Sequence, residues 1–146
     1  MTAFKPVDET LLVTGQIAPE DMQQAKAQGV TLIVNNRPDE EEKDQPPGAA
    51  IESAARAAGL AYQAIPVGSA GFSAPQIEAM AQALSGARGK TLAFCRTGTR
   101  SIFLWALSEA KQGRDPETIS CQVEAAGYDP RPIRPTLDML ARKASE

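Results

Sequence analysis

Histidine is absent from all 146 residues. Its absence removes every Ser–His and Cys–His catalytic pair and every His-ligated metal. Cysteine is nearly as scarce, and Cys95 and Cys121 alone are too few for a disulfide framework or a four-thiolate zinc site. No apolar run approaches the roughly 18 residues of a membrane span. A surplus of positive charge is missing too. The 15 Lys and Arg face 18 Asp and Glu, a formal charge of -3, so no broad basic field exists to hold a nucleic-acid backbone or an anionic membrane. The stretch from Met1 to Pro6 lacks the basic and then apolar pattern of a signal peptide, and a cytoplasmic location is expected.

What is present fits one domain over residues 1–146. Runs suited to strands at Leu11 to Thr14, Val30 to Asn35, Leu60 to Val67 and Lys90 to Phe94 alternate with helical patterns, the signature of an α/β sheet with parallel central strands. Pro19 opens a helix that Gly29 stops. Ser73 and Gln76 form a capping box ahead of Ile77, Met80, Ala81 and Leu84. Phe103, Ala106, Leu107 and Ala110 mark a further helix from Arg100 to about Gln112, Asp115–Pro116 starts another, and a last one runs from about Pro135 to Lys143. Met80, Trp105 and Met139 fall in these stripes and are expected in the core. The segment Asp39 to Pro47 is expected to be an exposed acidic loop, and Tyr128 to Pro132 an extended linker.

One stretch carries chemistry. Phe94-Cys95-Arg96-Thr97-Gly98-Thr99-Arg100-Ser101 reads as strand end, tight loop and helix start. Ligands bind at the carboxyl ends of strands in open α/β sheets, and such a loop turns backbone N–H groups inward as an anion nest. Gly98 lets the backbone turn and approach a ligand. Arg100 offers a planar fork of donors, and a helix N-terminus beside cations favours a thiolate without any histidine. Cys95 is thus the candidate nucleophile and Arg100 its catalytic anion ligand. Arg96, Thr97, Gly98 and Thr99 are the anion-binding loop, and Ser101 is a hydroxyl donor to the sulfur or leaving group. A packed structural thiol is the plainer alternative, and the convergence of cysteine, glycine and arginine argues against it. Cys121 is either a resolving thiol or an ordinary helix residue.

At these residues the sequence resembles two families. Protein tyrosine and dual-specificity phosphatases carry Cys, five residues and Arg, whereas rhodanese sulfurtransferases carry Cys, four residues and Arg. Cys95 to Arg100 has the shorter spacing. Val7 to Gln16, Ile33 to Asp39, Ala64 to Val67 and the Cys loop with Leu104 to Leu107 resemble the family described as beta-lactamase hydrolase-like protein, phosphatase-like domain. The resemblance implies a tyrosine-phosphatase-like three-layer α/β fold, with a mostly parallel sheet of four or five strands flanked by helices. It also implies a functional association with a sulfur dioxygenase, since family members occur either alone or fused to one.

Dual-specificity phosphatases place an Asp acid after the Ile-Pro-Val strand, where this chain has Gly68-Ser69-Ala70-Gly71-Phe72. A positioned acid is worth about 10² to 10⁴-fold to an oxygen leaving group, whereas sulfite or a thiolate leaves without a proton. The first expectation is therefore a sulfurtransferase that takes thiosulfate or a small persulfide through a Cys95 persulfide. The second is a phosphomonoester hydrolase, with Asp39 as a relocated acid and Arg37 as a further anion ligand. A catalytically idle anion-binding or docking module is the third. In each case the partner is a small anion, with no nucleic acid or membrane, and no metal or organic cofactor is implied.

Overall fold

The computed structural model describes residues 3–146; Met1 and Thr2, which open the N-terminal pattern, lie outside them. Strands β1 (Lys5–Pro6), β2 (Leu11–Thr14), β3 (Val30–Asn35), β4 (Ala61–Ala64) and β5 (Lys90–Phe94) form one sheet in the order β1-β2-β5-β3-β4, in which only the short β1 is antiparallel to its neighbour. Because successive side chains alternate between faces, Leu11, Val13, Val34 and Ala93 feed one core, and Leu12, Ile33, Leu92 and Phe94 feed the other. Helices α1 (Met22–Ala27) and α2 (Gly48–Ala57) cover the second face. Helices α3 (Ala74–Gly86), α4 (Thr99–Lys111), α5 (Pro116–Ala125) and α6 (Arg134–Ala144) cover the first. This is the expected tyrosine-phosphatase-like α/β layering. No helix among the described residues is long and apolar enough to cross a membrane.

The strand register sets the site. Phe94 pairs with Thr14 on one side and Asn35 on the other, so β2, β5 and β3 end level. Gly15–Gln16, Cys95–Arg96 and Asn36–Arg37 then leave the same sheet edge together. Above that edge α4 lies between the sheet and the outer helices, and Ile102 to Ser108 are buried on all sides, Trp105 among them.

Several elements differ from expectation. The strand expected to reach Val67 is regular only to Ala64. Pro66 lacks an N–H, yet the N–H groups of Ile65 and Val67 still donate to the carbonyls of Asn35 and Asn36. The Pro19 helix divides into a 3-10 turn, Pro19–Asp21, and α1. Helix α2 was not expected: its buried stripe is only Ile51 and Ala55, too thin to register as a periodicity. Residues Tyr128 to Pro132 are no extended linker. The Tyr128 N–H returns to the Val123 carbonyl after Gly127 turns at φ 95, and a 3-10 turn at Arg131–Ile133 leads into α6. Met139 is exposed rather than core, because α6 is the outermost helix and directs Leu137 inward instead.

The Ser73 capping box forms as the sequence indicates, with Ser73 Oγ accepting from the Gln76 N–H and Gln76 Oε1 from the Ser73 N–H. Ser73→Ala is expected to lower stability by about 1 kcal/mol in urea denaturation.

Candidate active site

The Cys95 loop must turn from strand to helix in four residues. Gly98 makes this possible at φ 94, a left-handed conformation that glycine adopts without steric cost. Its N–H donates to Cys95 Sγ at 3.1 Å. A Cβ at position 98 would collide with the Tyr128 hydroxyl, which donates to the Thr97 carbonyl at 3.0 Å and braces the loop from outside. On the far side Gly15 lets the Arg96 carbonyl pass, since a Cβ there would lie 2.8 Å from that oxygen; the Gln16 N–H donates to the same carbonyl. The sulfur is therefore aimed into the loop, toward the first turn of α4, where the positive end of the helix dipole lies. Cys95 as a residue is nevertheless 0% exposed. Burial, and then the proximity of Cys95, push the Tyr128 phenol above its ordinary range.

Arg100 stands on that first turn. Its guanidinium meets Glu41 through two nitrogens, Nη1 to Oε2 at 2.7 Å and Nη2 to Oε1 at 2.8 Å, and Nη1 also donates to the Val67 carbonyl at 2.6 Å. The Glu41 carboxylate raises Arg100 above its ordinary value, and Cys95 adds to the effect. In return the hydrogen bond from Arg100, and then that from Arg37, holds Glu41 at about 2 against an ordinary 4.5, overriding the opposing effect of burial. Glu41 is an anion at every working pH.

The sequence-derived candidates fare unequally. Cys95, Gly98 and Arg100 come together as expected. Arg37 is almost fully buried and donates from Nε to Glu41, from Nη2 to Glu42 and from Nη1 to Gln16, so it braces the acidic segment rather than offering a free fork. Arg96 is exposed, with Nε 3.4 Å from Glu42. Thr97 and Thr99 join hydroxyl to hydroxyl at 3.0 Å. Ser101 is buried and directs its proton to Asn36 Oδ1 at 2.8 Å, away from the role expected of it at the thiolate. Asp39 accepts the Gly48 N–H at 2.7 Å at the start of α2, and it lines a 250 Å³ cavity with Asn35, Tyr62 and Glu52. One oxygen of its carboxylate thus serves the start of α2. Cys121 is an exposed residue of α5 whose sulfur neighbours Glu117.

Glu41, Asn36 and Tyr128 were not singled out from the sequence. Glu41 was absorbed into a segment expected to be solvated; the signal available was a run of carboxylates directly after a strand whose edge also carries three arginines. Asn36 is fully buried, and its amide donates to the Ile65 carbonyl while accepting from Ser101, which ties β3, the Ile65 crossover and α4 together. Among the described residues no group of three or more Cys, Asp and Glu is arranged to hold a metal.

This arrangement is that of a tyrosine-phosphatase-like fold with a cysteine loop at its sheet edge. Residues 3–112 match the family described as beta-lactamase hydrolase-like protein, phosphatase-like domain, and the chain belongs to that family. A beta-lactamase hydrolase-like protein of Xylella fastidiosa is 37% identical over 122 residues, which cover 84% of this chain but 28% of that protein. The chain thus spans little more than a quarter of that relative's length. A crystal structure of a candidate phosphatase from Neisseria meningitidis is 32% identical with a TM-score of 0.82, covering 93% of this chain and 96% of that one. At 14% identity, TpbA of P. aeruginosa, solved with pTyr, shares the fold with a TM-score of 0.66, covering 98% of this chain and 90% of that one. None of these is described as a sulfurtransferase. The family description and these neighbours favour the phosphatase alternative over sulfur transfer and lend no support to a sulfur dioxygenase partner.

Glu41 is held below its unfolded value, so the stability it contributes is complete above pH 4.5 and is lost as pH falls through about 2. Urea denaturation should accordingly show Glu41→Gln less stable than wild type at pH 7, with the gap closing across that acid window. Gly98→Ala is expected to cost at least about 1 kcal/mol from backbone strain, and more from the Tyr128 collision, in the same measurement.

Proposed function

We propose that the chain hydrolyses phosphomonoesters with Cys95 as nucleophile. The observation that carries this reading is the Cys95 sulfur, which receives the Gly98 N–H inside a loop that ends at the Arg100 fork. Membership of a phosphatase-like family supports it, as does a structural neighbour that holds pTyr.

In the first step the Cys95 thiolate attacks phosphorus. The S–P bond forms, the ester P–O bond breaks, and the leaving oxygen carries the electron pair away. Arg100 and the amides at the start of α4 neutralise the phosphoryl oxygens, where preorganised donors contribute most. Water then attacks phosphorus, the S–P bond breaks, inorganic phosphate departs with the water oxygen, and the thiolate returns. Asp39 is engaged by Gly48 and the segment after Val67 carries no acid, so the departing oxygen takes its proton from solvent. This favours esters of acidic phenols over those of alkyl alcohols.

Release of nitrophenol from an aryl phosphate tests the reading. Cys95→Ser should abolish turnover, and Arg100→Lys should lower kcat by about 10² to 10³-fold, the scale seen when one transition-state donor is lost. Asp39→Asn should change kcat by less than about tenfold, short of the general-acid range. Cyanide-dependent consumption of thiosulfate that exceeds aryl phosphate turnover, and is lost in Cys95→Ser, would reverse the assignment in favour of sulfur transfer.

A further inference from the structure

Tyr128 reaches the Cys95 loop from beyond the residues that match the family, which end at 112. Its own position is closely specified. At the end of α5 the Gly127 N–H returns to the Glu124 carbonyl at 2.9 Å and the Tyr128 N–H to the Val123 carbonyl at 3.1 Å. These are the paired bonds of a Schellman stop, with Gly127 in the left-handed conformation such a stop takes. The ring lies half-buried against the core that surrounds α4, and the Lys5 ammonium on β1 stands 4.9 Å from its centroid. From this fixed ring the hydroxyl donates to the Thr97 carbonyl at 3.0 Å. A phenol held above its ordinary range keeps its proton for that bond.

The bond controls a direction. A peptide unit is planar and trans, so its C=O and N–H point opposite ways. The Thr97 carbonyl and the Gly98 N–H belong to one such unit. With the carbonyl drawn outward to Tyr128, the N–H faces inward and meets Cys95 Sγ at 3.1 Å. Glycine itself does not enforce this orientation. Turning the unit over would carry Gly98 from φ 94 to negative φ, which glycine accepts as readily, and would aim the Thr97 carbonyl at the sulfur. An inward amide favours an anion in the loop, thiolate or phosphoryl oxygen, whereas an inward carbonyl repels both. The preceding unit is secured by main chain, since the Arg96 carbonyl accepts from the Gln16 N–H; for the Thr97 unit the anchor is a side chain. We propose that Tyr128 is a positioning residue whose hydroxyl selects the inward orientation of the Gly98 amide, so that the helices after residue 112 complete the anion site. The inference rests on the reading of this loop as the anion site of a phosphatase.

Tyr128→Phe removes the hydroxyl and keeps the ring. A hydrogen bond of ordinary net strength moves an equilibrium by about two- to tenfold, so this variant should bind inorganic sulfate about two- to tenfold more weakly in calorimetric titration at pH 7. Hydrogen exchange of the Gly98 N–H, followed by NMR, should accelerate at least about twofold, while that of Val123 inside α5 stays as in wild type. Unchanged sulfate affinity or unchanged Gly98 exchange overturns the proposal. Acceleration that extends to Val123 overturns it too, because the hydroxyl then serves the fold at large, and failure of Tyr128→Phe to fold has the same meaning. Should wild type bind no sulfate, the anion site is lost and the proposal with it. The expected changes in a protein that releases no nitrophenol from aryl phosphate remove the phosphatase reading alone.

Discussion

β5 ends at Phe94 and α4 begins at Thr99, so the chain must pass from the centre of the sheet into its most buried helix within four residues. Only a left-handed turn at Gly98 accomplishes this, and that turn points one amide back at the Cys95 sulfur. The position of Arg100 on the first turn of α4, the close passage of Gly15 under the Arg96 carbonyl and the brace from Tyr128 all follow from the same short connection. The site is thus a by-product of how a central strand joins a core helix, fixed by packing before any ligand arrives.

A second consequence is electrostatic. The connection gathers arginines and a helix N-terminus at one sheet edge, a concentration of positive charge that the net value of -3 conceals. Left alone it would be a general anion trap. The residues after β3 answer it locally with Glu41 and Glu42, and Arg37 is the post around which both carboxylates are arranged.

The three inner strands were legible to the residue because each is a short apolar run closed by a polar break, and the Ser73 cap because its partners lie three residues apart. The Cys95 loop was legible because glycine and two arginines follow a strand without interruption. Contacts across the sheet edge were not. Glu41 meets Arg100 over a separation of 59 residues and Ser101 meets Asn36 over 65, and no periodicity encodes such pairs. Asp39 shows the converse: adjacency to the strand end suggested a catalytic acid, whereas the geometry assigns its oxygen to the first amide of α2. Loop length weighed in another direction. Four residues between Cys95 and Arg100 suggested sulfane chemistry, whereas the family description and the structural neighbours favour the phosphatase alternative.

Helix α4 joins the two halves of this account. Its first turn bears Arg100, and the next turns supply Ile102, Leu104, Trp105 and Leu107 to the interior. A helix so placed cannot fray or tilt without opening the hydrocarbon around it, so the guanidinium has no loosened intermediate in which to wander. Heating should accordingly extinguish ligand recognition and melt the globule in a single event.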